Sequence, residues 1–416
     1  MGRAELSDVA GSVGLLMVIE KTVKIALARQ ENLRGDASVG SDRKRILFVI
    51  PSLGGAGGGG AERVAVTLLR HLDRNHLEPH IALVRAEGPF LKDVPADVPI
   101  HGLGTRRVRY AVPSLVRVAW KVRPHVVFST LGYLNLAVIC ARPFLPKETK
   151  LVVKEGSTVS ALLAQGVAND RVWSLLYRRL YKRADRVVCS SDHMMNDLAQ
   201  NFAVPRRKMI RIYNPVDVDL VGRLADAEEN PYPTSGPNLV AVGRLSREKG
   251  VDLLLDAFAL VHKSLAQASL TVLGDGPLAA ALREQRDRLG LREFVNFAGF
   301  HPNPYPYVKH SDLFVMPSRV EGMPNAVLEA LALRKPVVAT DCVGAMKEIA
   351  GANCRLRLVS SEDPVGLAEG ILKVLAETKL GQSLESDSAF EDNFGLRPVM
   401  AQYETLFEKV LDGLLL

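Results

Sequence analysis

The segment Arg45–Leu53 (RILFVIPSL) limits the possible folds of this chain more than any other, because it is an unbroken apolar run. A strand with one face in water alternates polar and apolar residues, whereas a continuous apolar run is typical of a strand buried on both faces of a parallel sheet. Further runs of this kind are His80–Ala86, His125–Thr130, Lys150–Glu155 and Arg186–Ser191. Helical stretches lie between most of them, and this alternation predicts an open α/β sheet.

A second α/β series begins after residues 226–237 (DAEENPYPTSGP), whose polar, proline-containing composition is typical of a linker. Its apolar runs are Asn238–Gly243, Ser269–Gly274, Val295–Gly299, Leu313–Ser318 and Pro336–Thr340. A chain of 416 residues is also too long for one ordinary core. The sequence therefore predicts two Rossmann-like domains facing each other across a cleft.

The predicted boundaries follow these patterns. Residues 1–43 precede the first strand and are predicted to be an N-terminal extension without an assigned role. A start site placed too far upstream is the alternative explanation for these residues. A final helix, expected from Pro398 to Leu411, could pack back on the N-terminal domain. The predicted parts are, in order, the extension (1–43), the N-terminal domain (44–225), the linker (226–237), the C-terminal domain (238–394) and the C-terminal helix (395–416).

Composition narrows the class of protein. The chain is 47% apolar and 24% charged, which is ordinary for a globular protein. No apolar run approaches the roughly 20 residues that a membrane-spanning helix needs, and the short run Val13–Ile19 lacks the flanks of a secretory signal. The four cysteines lack zinc or redox spacing. We predict them to be reduced core residues of a cytoplasmic protein, with a disulfide or metal role as the alternative.

The charge is divided unevenly between the two halves. Residues 44–225 contain 28 Lys and Arg against 14 Asp and Glu, whereas residues 226–416 contain 19 against 26. A basic half favours an anionic partner, such as a membrane surface, a nucleic acid or a phosphorylated substrate. A solvated basic face is the alternative. The cations include Arg106, Arg107, Arg109, Arg117, Lys121 and Arg123.

One helical stripe could rest on an anionic membrane. It contains Trp173, Leu176 and Leu180, and the basic residues Arg178 and Arg179 lie beside it. A core-facing helix whose basic side chains reach the solvent would give the same pattern.

Glu321 and Glu329 lie in VEGMPNAVLEAL, just after a predicted strand. Gly322 gives the loop freedom, and Pro324 suits the first turn of a helix. The amides of the first turn, including those of Asn325, Ala326 and Val327, could bind a diphosphate. A carboxylate on each side could accept hydrogen bonds from ribose and sugar hydroxyls. Two surface glutamates on a helix would show the same spacing.

Three other motifs also occupy strand ends. GRLSREKG (Gly243–Gly250) follows a strand, and its Arg244 and Lys249 could hold a leaving diphosphate. GDGP (Gly274–Pro277) could bring backbone close to a base or phosphate, as YNPVD (Tyr213–Asp217) could fix a loop near an interdomain hinge. Solvated or purely structural turns are the alternatives.

A glycine-rich loop, Gly54–Arg63 (GGAGGGGAER), opens the first predicted helix. Gly55, Gly57 and Gly60 formally satisfy the dinucleotide pattern G-x-G-x-x-G, which a loop of this composition matches easily. The alternative is a flexible loop without a ligand.

Along the chain the motifs come in the order glycine-rich loop, YNPVD, GRLSREKG, GDGP and VEGMPNAVLEAL. This order resembles that of the retaining family 4 glycosyltransferases of GT-B fold, over about residues 44–411. The resemblance is dense in the second half, in VAVGRLSREKGVDLLLDAF and SDLFVMPSRVEGMPNAVLEALALRKPVVAT. It implies an α/β fold of the GT-B type and transfer of a sugar from a nucleotide-sugar donor, with no cofactor and no essential metal. A UDP-sugar is favoured by family frequency.

The resemblance also implies roles for individual residues. Arg244 and Lys249 would offset charge on the leaving diphosphate, and Glu321 would contact the donor sugar. Glu329 would bind the ribose. Residues expected to bring backbone close to the donor or to phosphates are Gly243, Gly274, Gly322, Asn325, Ala326 and Val327, together with Gly57, Gly58, Gly59 and Gly60 of the glycine loop.

One departure leaves the catalytic base unassigned. Many relatives carry a His near the reacting centre, where this chain has Val152–Ser160 (VVKEGSTVS). Lys154, Glu155 or Ser157 could contact the sugar or acceptor there. The expected acceptor is a glycan or a lipid-linked molecule, used in the cytoplasm or at the inner face of the cytoplasmic membrane, where the protein could contact anionic lipid.

Three other functions fit parts of the sequence. A nicotinamide-dependent oxidoreductase would use the glycine loop but leaves Arg244, Lys249 and both glutamates without a role. A catalytically silent GT-B partner subunit would not need this charged set. Nucleic-acid binding is not expected, because aromatic residues make up 6% of the chain and no base-reading helix is visible.

Overall fold

The computed structural model describes residues 43–54, 59–164, 170–233, 236–379 and 388–413. These residues form two compact units. The first contains the described residues up to Ile212 and those from Met400 onward, and the second runs from Tyr213 to Val399. Each unit is built on one parallel sheet, which agrees with the prediction of two Rossmann-like domains.

The first unit has a seven-stranded sheet in the order β3-β2-β1-β4-β5-β6-β7. Its strands are β1 (Lys44–Ile50), β2 (Leu77–Leu83), β3 (Ile100–Gly102), β4 (Val126–Thr130), β5 (Lys150–Glu155), β6 (Arg186–Cys189) and β7 (Met209–Arg211). The order reverses between β1 and β4, and open α/β sheets bind ligands at the carboxyl edge of such a switch point.

Strand β1 is covered on both faces, as its apolar run predicted. Leu47 and Val49 belong to the main core of the first unit. Phe48 lies on the opposite face, with its ring centroid 5.1 Å from that of Phe128. Residues on both faces are therefore removed from water, which is why no polar position interrupts the strand.

Helices lie between most of these strands. They are α1 (Gly60–His71), α2 (Val112–Val122), α3 (Gly132–Ala141), α4 (Val159–Ala164), α5 (Asp170–Leu180) and α6 (Asp192–Phe202). In α2 the buried residues Val112, Leu115, Val116 and Ala119 have the spacing of one helical face, and this apolar face is turned to the core. Helix α3, by contrast, is buried on all sides from Leu134 to Ala141.

The second unit has a six-stranded sheet in the order β10-β9-β8-β11-β12-β13. Its strands are β8 (Asn238–Val242), β9 (Ser269–Leu273), β10 (Val295–Gly299), β11 (Leu313–Met316), β12 (Val337–Thr340) and β13 (Leu356–Val359). Its helices are α7 (Val218–Ala225), α8 (Val251–Ser264), α9 (Ala279–Arg288), α10 (Tyr305–His310), α11 (Asn325–Ala332), α12 (Met346–Ala352), α13 (Pro364–Lys379) and α14 (Ser388–Phe394). Here the switch point lies between β8 and β11.

The division between the units falls earlier than the predicted boundary at residue 225. Val221 and Ala225 of α7 are buried in a core that also contains Val327 of α11, so the helix belongs to the second unit. Residues 226–230 of the predicted linker are exposed, whereas packing decides the boundary. The predicted extension, residues 1–43, lies outside the described residues except for Arg43.

The final helix, α15 (Leu396–Leu411), begins two residues before the predicted Pro398. Tyr403 and Phe407 are fully buried, and both rings meet Phe128 of β4 edge-on, at centroid distances of 6.0 and 5.8 Å. Glu404 accepts a hydrogen bond from the backbone of Asp73 at 3.0 Å. The later part of α15 therefore completes the core of the first unit.

The stripe on α5 faces the core. Trp173, Tyr177 and Leu180 are buried in the main core of the first unit. The membrane interpretation of this stripe is therefore wrong, and its alternative, a core-facing helix with basic side chains at the surface, is confirmed.

The cysteines are free, and three of them are buried as predicted. Cys354 is the exception, because it is exposed in the turn before β13. Within the described ranges, no helix combines the length and apolarity needed to cross a bilayer.

Lys154 supports a prediction about α15. Its ammonium donates to Tyr403 Oη and to Ser190 Oγ, each at 2.9 Å, and burial lowers its pKa to about 7. Between about pH 7 and the ordinary lysine pKa of 10.5, Lys154 carries a proton in the unfolded chain but not in the folded protein. This group therefore makes the free energy of unfolding rise with pH across that window.

Tyr403→Phe removes one acceptor of this buried ammonium. We expect a loss of about 1.5–3 kcal/mol where Lys154 is charged, below its lowered pKa, and about 0.5–1.5 kcal/mol well above it. Denaturant unfolding of the wild type and the variant, once below pH 7 and once well above it, measures the two losses of unfolding free energy. Tyr110→Phe, at an exposed ring, is the matched control. An equal loss at both pH values would show that Tyr403 does not serve the charged form.

Candidate functional site

An ion pair joins two loops at the switch point of the second sheet. Lys249 lies in the turn after β8, and Glu321 lies in the loop after β11, which neighbours β8 in the sheet. Lys249 Nζ donates to Glu321 Oε1 at 2.6 Å. Two sequence-predicted residues, 72 positions apart, are thus brought together at the carboxyl edge.

Glu321 is held firmly through one of its oxygens. The side chain is buried, and Oε1 also accepts a hydrogen bond from Ser318 Oγ at 2.6 Å. Its backbone amide donates to Val343 O at 2.9 Å. Its second oxygen, Oε2, has no hydrogen-bond donor among the described residues, so it can accept one from a ligand hydroxyl.

Arg244 presents a donor that the protein leaves unused. The residue is half-buried, and its Nε is buried without a hydrogen-bond acceptor in the described part of the chain. Burying such a donor unpaired costs roughly 1–3 kcal/mol, more for a charged group. A guanidinium in this state is suited to an anionic ligand that supplies the missing acceptor.

Two glycines allow the loops around these cations to approach each other. Gly250 has φ +65°, and a Cβ there would lie 2.0 Å from Pro317 O, at the end of β11. Gly274 has φ +137°, and a Cβ there would lie 1.9 Å from Gly243 O. Any other residue would push these loops apart. Gly274 therefore supports the Arg244 turn through backbone packing.

Arg319 fixes the same arrangement from outside the predicted motif. Its guanidinium donates to both carboxylate oxygens of Asp252, at 2.7 and 2.8 Å, and to Arg247 O at 2.9 Å. The hydrogen bonds to Asp252, and a further one to Glu362, raise the pKa of Arg319. The sequence did not identify Arg319, Asp252 or Ser318 as residues of this site. Opposite charges next to two motifs do not reveal that Arg319 and Asp252 are partners, and no motif marks the serine just after β11.

Helix α11 begins where the sequence predicted, after Pro324. Asn325 Oδ1 accepts a hydrogen bond from Asn214 Nδ2 at 2.7 Å, so the NPVD motif holds the start of the helix. The prediction that the amide of Val327 binds a diphosphate is wrong. Its amide donates to Pro324 O at 3.0 Å and its side chain is buried, so it is not available to a ligand. The amide of Ala326 has no acceptor among the described residues.

Glu329 lies on the first turns of α11 and is half-buried. Its Oε1 accepts a hydrogen bond from Tyr305 Oη at 3.1 Å. Gly322 accepts from the amide of Ala345 at 3.1 Å through its carbonyl, which fixes the loop between Glu321 and the helix. The two glutamates thus lie on either side of the start of α11, as predicted.

The glycine loop of the first unit is only partly described. Gly57 and Gly58 lie outside the described residues. Gly59 precedes α1 and Gly60 begins it, and the Glu62 carboxylate lies so close that a Cβ on Gly59 would be 1.7 Å from its Oε2. An acidic side chain therefore occupies the helix start where we predicted phosphate, and it would compete with that ligand.

Glu155 points into the first unit. It is buried, its Oε2 accepts from Tyr181 Oη at 2.5 Å, and Oε1 accepts from the amide of Gly156 at 3.1 Å. Burial raises its pKa to about 7. This geometry gives Glu155 a structural role instead of direct contact with a sugar or acceptor. The contact predicted for the half-buried Ser157 stays a prediction.

The chain contains one Asp-x-Asp triplet, Asp217-Val218-Asp219, a pattern that can hold a metal-bound diphosphate. Asp217 Oδ1 accepts a hydrogen bond from the amide of Leu220 at 2.9 Å and caps α7. This use of Asp217 as a helix cap accounts for the residue without a metal.

Two family models match this chain. The one described as Glycosyltransferase Family 4 matches residues 58–220, and the one described as Glycosyl transferases group 1 matches residues 236–377. Together they cover well over half of the chain, one in each half.

Named relatives are also glycosyltransferases. The chain is 29% identical over 340 residues to the N-acetylgalactosamine-N,N'-diacetylbacillosaminyl-diphospho-undecaprenol 4-alpha-N-acetylgalactosaminyltransferase of Campylobacter jejuni, covering 79% of this chain and 90% of that protein. It is 24% identical to the amylovoran biosynthesis glycosyltransferase AmsD of Erwinia amylovora, covering 73% and 83%.

Solved structures show the same fold. Anabaena HepE in complex with UDP-glucose superposes with a TM-score of 0.72 at 20% identity, covering 89% of this chain and all of that one. Sucrose-phosphate synthase from Thermosynechococcus elongatus superposes with a TM-score of 0.75 at 17% identity, with the same coverage. The family models, the relatives and the fold agree with the resemblance seen in the sequence. The chain therefore belongs to the family 4 glycosyltransferases of GT-B fold and is a glycosyltransferase of glycan biosynthesis.

Proposed function

We propose that this enzyme transfers a hexose or N-acetylhexosamine, with retention, from a UDP-sugar to a glycan or lipid-linked acceptor. It would do so at the cytoplasmic face of a membrane, in the synthesis of a polysaccharide or glycoconjugate. The observation that carries the proposal is the unused, buried Nε of Arg244 in the same turn as the Lys249–Glu321 ion pair.

The donor's parts match the groups at this edge of the sheet. The diphosphate would lie against Arg244, Lys249 and the start of α11, where two cations and helix amides favour an anion. The free Oε2 of Glu321 would accept a hydrogen bond from the donor sugar, and Glu329 from the ribose. UDP is supported by the HepE complex, and the lipid-linked acceptor by the name of the Campylobacter relative.

The reaction follows from these positions. The bond between the anomeric carbon and the diphosphate oxygen breaks with oxocarbenium character, and negative charge grows on the diphosphate. Arg244 and Lys249, already oriented before the reaction, would stabilise that charge. The acceptor oxygen bonds the anomeric carbon on the face that the diphosphate leaves, and its proton passes to a diphosphate oxygen. The anomeric configuration is retained without an enzymic nucleophile.

Replacing the charged residues should abolish most turnover. We expect Arg244→Ala, Lys249→Ala and Glu321→Ala each to lower kcat by about 100-fold or more, the scale of one preorganised charge contact. Donor hydrolysis and sugar transfer measure this, and thermal unfolding confirms that each variant folds. Arg247→Ala, at an exposed cation of the same turn, should stay near wild type. Near-wild-type turnover in all three variants would contradict the site.

Nucleotide binding can be measured without knowing the acceptor. We expect UDP-sugars to raise the melting temperature of the wild type more than GDP-sugars do, because a ligand that binds only the folded state stabilises it. The shift should be lost in Arg244→Ala. No shift with any donor, and no hydrolysis, would favour the silent partner subunit, whereas a shift with nicotinamide dinucleotides would favour the oxidoreductase.

Metal independence is a separate prediction. If Arg244 and Lys249 neutralise the diphosphate, turnover should persist in excess EDTA after dialysis, because the stabilising charge belongs to the protein. A strict requirement for added Mg²⁺ or Mn²⁺, restored by back-titration, would show that a metal supplies that charge.

A further inference from the structure

The first unit carries one surface that its internal packing does not explain. We call it the basic-aromatic face, and it contains Arg106, Tyr110, Arg117, Trp120, Lys121 and Arg123. It lies on α2 and on the residues that flank the helix. Between residues 98 and 147 the sequence has eight Lys and Arg and no Asp or Glu.

Helix geometry places this face opposite the core. Residues three and four positions apart lie on the same side of a helix. Arg117, Trp120 and Lys121 therefore share one side, and all three are exposed. The other side, with Leu115 and Ala119, is buried. The ring of Trp120 is 37% exposed and that of Tyr110 is 51% exposed, which is unusual for large aromatic side chains.

Both rings are held in place next to a cation. Trp120 Nε1 donates to Phe144 O at 2.8 Å, and the Arg123 guanidinium lies 4.6 Å from the centroid of its ring. At the other end of α2, the Arg109 guanidinium lies 5.0 Å from the Tyr110 ring.

The cations of the face lack anionic partners. Arg106, Arg117, Lys121 and Arg123 form no ion pair with any residue in the described ranges. Arg142, in the same acid-free stretch, differs because it pairs with Asp185. The headgroup layer of an anionic membrane is polar and negatively charged, and an apolar layer lies just beneath it. Unpaired cations with half-exposed aromatic rings between them match these two layers.

We infer that the basic-aromatic face docks this unit on a bilayer that contains anionic lipids. Because α2 connects β3 to β4 in a parallel sheet, its Tyr110 end lies at the carboxyl edge, where open α/β sheets bind ligands. A lipid-linked acceptor could then reach that edge while its chain stays in the membrane. Only this last role rests on the proposed function; the docking does not.

Vesicle binding tests the inference without donor or acceptor. We would sediment the full chain with phosphatidylcholine vesicles and with vesicles that also contain phosphatidylglycerol. We expect binding only to the second kind, weakened by salt. Each cation at a membrane surface contributes roughly a fivefold gain, so Arg117→Glu with Lys121→Glu should lower partitioning by about 25-fold or more.

A matched control uses the other basic helix. Arg179→Glu with Arg183→Glu makes the same change in net charge at exposed residues of α5 and the turn after it. It should keep most of the binding. Loss of equal size in both double variants would mean general charge attraction, and greater loss in the control would mean that α5, which exposes Leu175, is the docking face. Either result overturns the inference.

Tryptophan fluorescence gives an independent readout. The chain has two tryptophans, and Trp173 is buried, so Trp120 reports on this face. Its emission should shift to shorter wavelength and become shielded from iodide on phosphatidylglycerol vesicles. No shift, or binding to an oligonucleotide but not to vesicles, overturns the inference. The UDP-induced rise in melting temperature should be unchanged in Arg117→Glu with Lys121→Glu, which separates this result from failure of the donor site.

Discussion

The hydrogen-bonded ion pair between Lys249 and Glu321 is the interaction on which the candidate site depends. It ties the turn after β8 to the loop after β11, and these are the two strands between which the sheet order reverses. A buried ion pair adds little net stability, but removing one partner costs about 3–5 kcal/mol because the other charge stays buried. The pair is therefore better explained by the groups that it positions. Glu321 Oε1 holds the Lys249 ammonium in place, and Glu321 Oε2 is left to accept a hydrogen bond from a ligand.

The residues around this pair are held rigidly by hydrogen bonds, whereas the Nε of Arg244 lacks a hydrogen-bond acceptor among the described residues. Arg319 and Asp252 lock the two loops together through a bidentate contact, and Gly250 lets their backbones touch. Arg244 comes from the same turn but keeps a buried donor unpaired. Proteins seldom leave such groups unsatisfied. A rigid frame around an unsatisfied cation is the arrangement that stabilises charge appearing in a transition state, because no reorganisation is needed when the charge forms.

The two units use one architecture for different purposes. In the second unit, the charged groups collect at the carboxyl edge of the sheet. In the first unit, Glu155 at the end of β5 is buried, the Glu62 carboxylate in the first turn of α1 lies against Gly59, and exposed cations lie on α2. The division of charge seen in the sequence thus has a structural counterpart, since the candidate site contains a few fixed cations and the basic surplus of the first half lies largely at the surface.

The sequence by itself determined the class of fold and named most of the residues that the structure brings together in the candidate site. Periodicity and the local motifs are properties of neighbouring residues, so ten of the thirteen strands that the structure describes, the start of α11 and the pair of glutamates could be predicted. The three strands that were not predicted, β3, β7 and β13, are short and lie at the edges of the sheets. Tertiary packing alone decided the rest. It placed α7 in the second unit and buried the stripe of Trp173 and Leu180 in the core of the first. It paired the backbone amide of Val327 with the carbonyl oxygen of Pro324. It also paired Arg319 with Asp252 across 67 residues. Helical spacing shows that a face is apolar but not what covers it, and opposite charges do not reveal their partners until the chain folds.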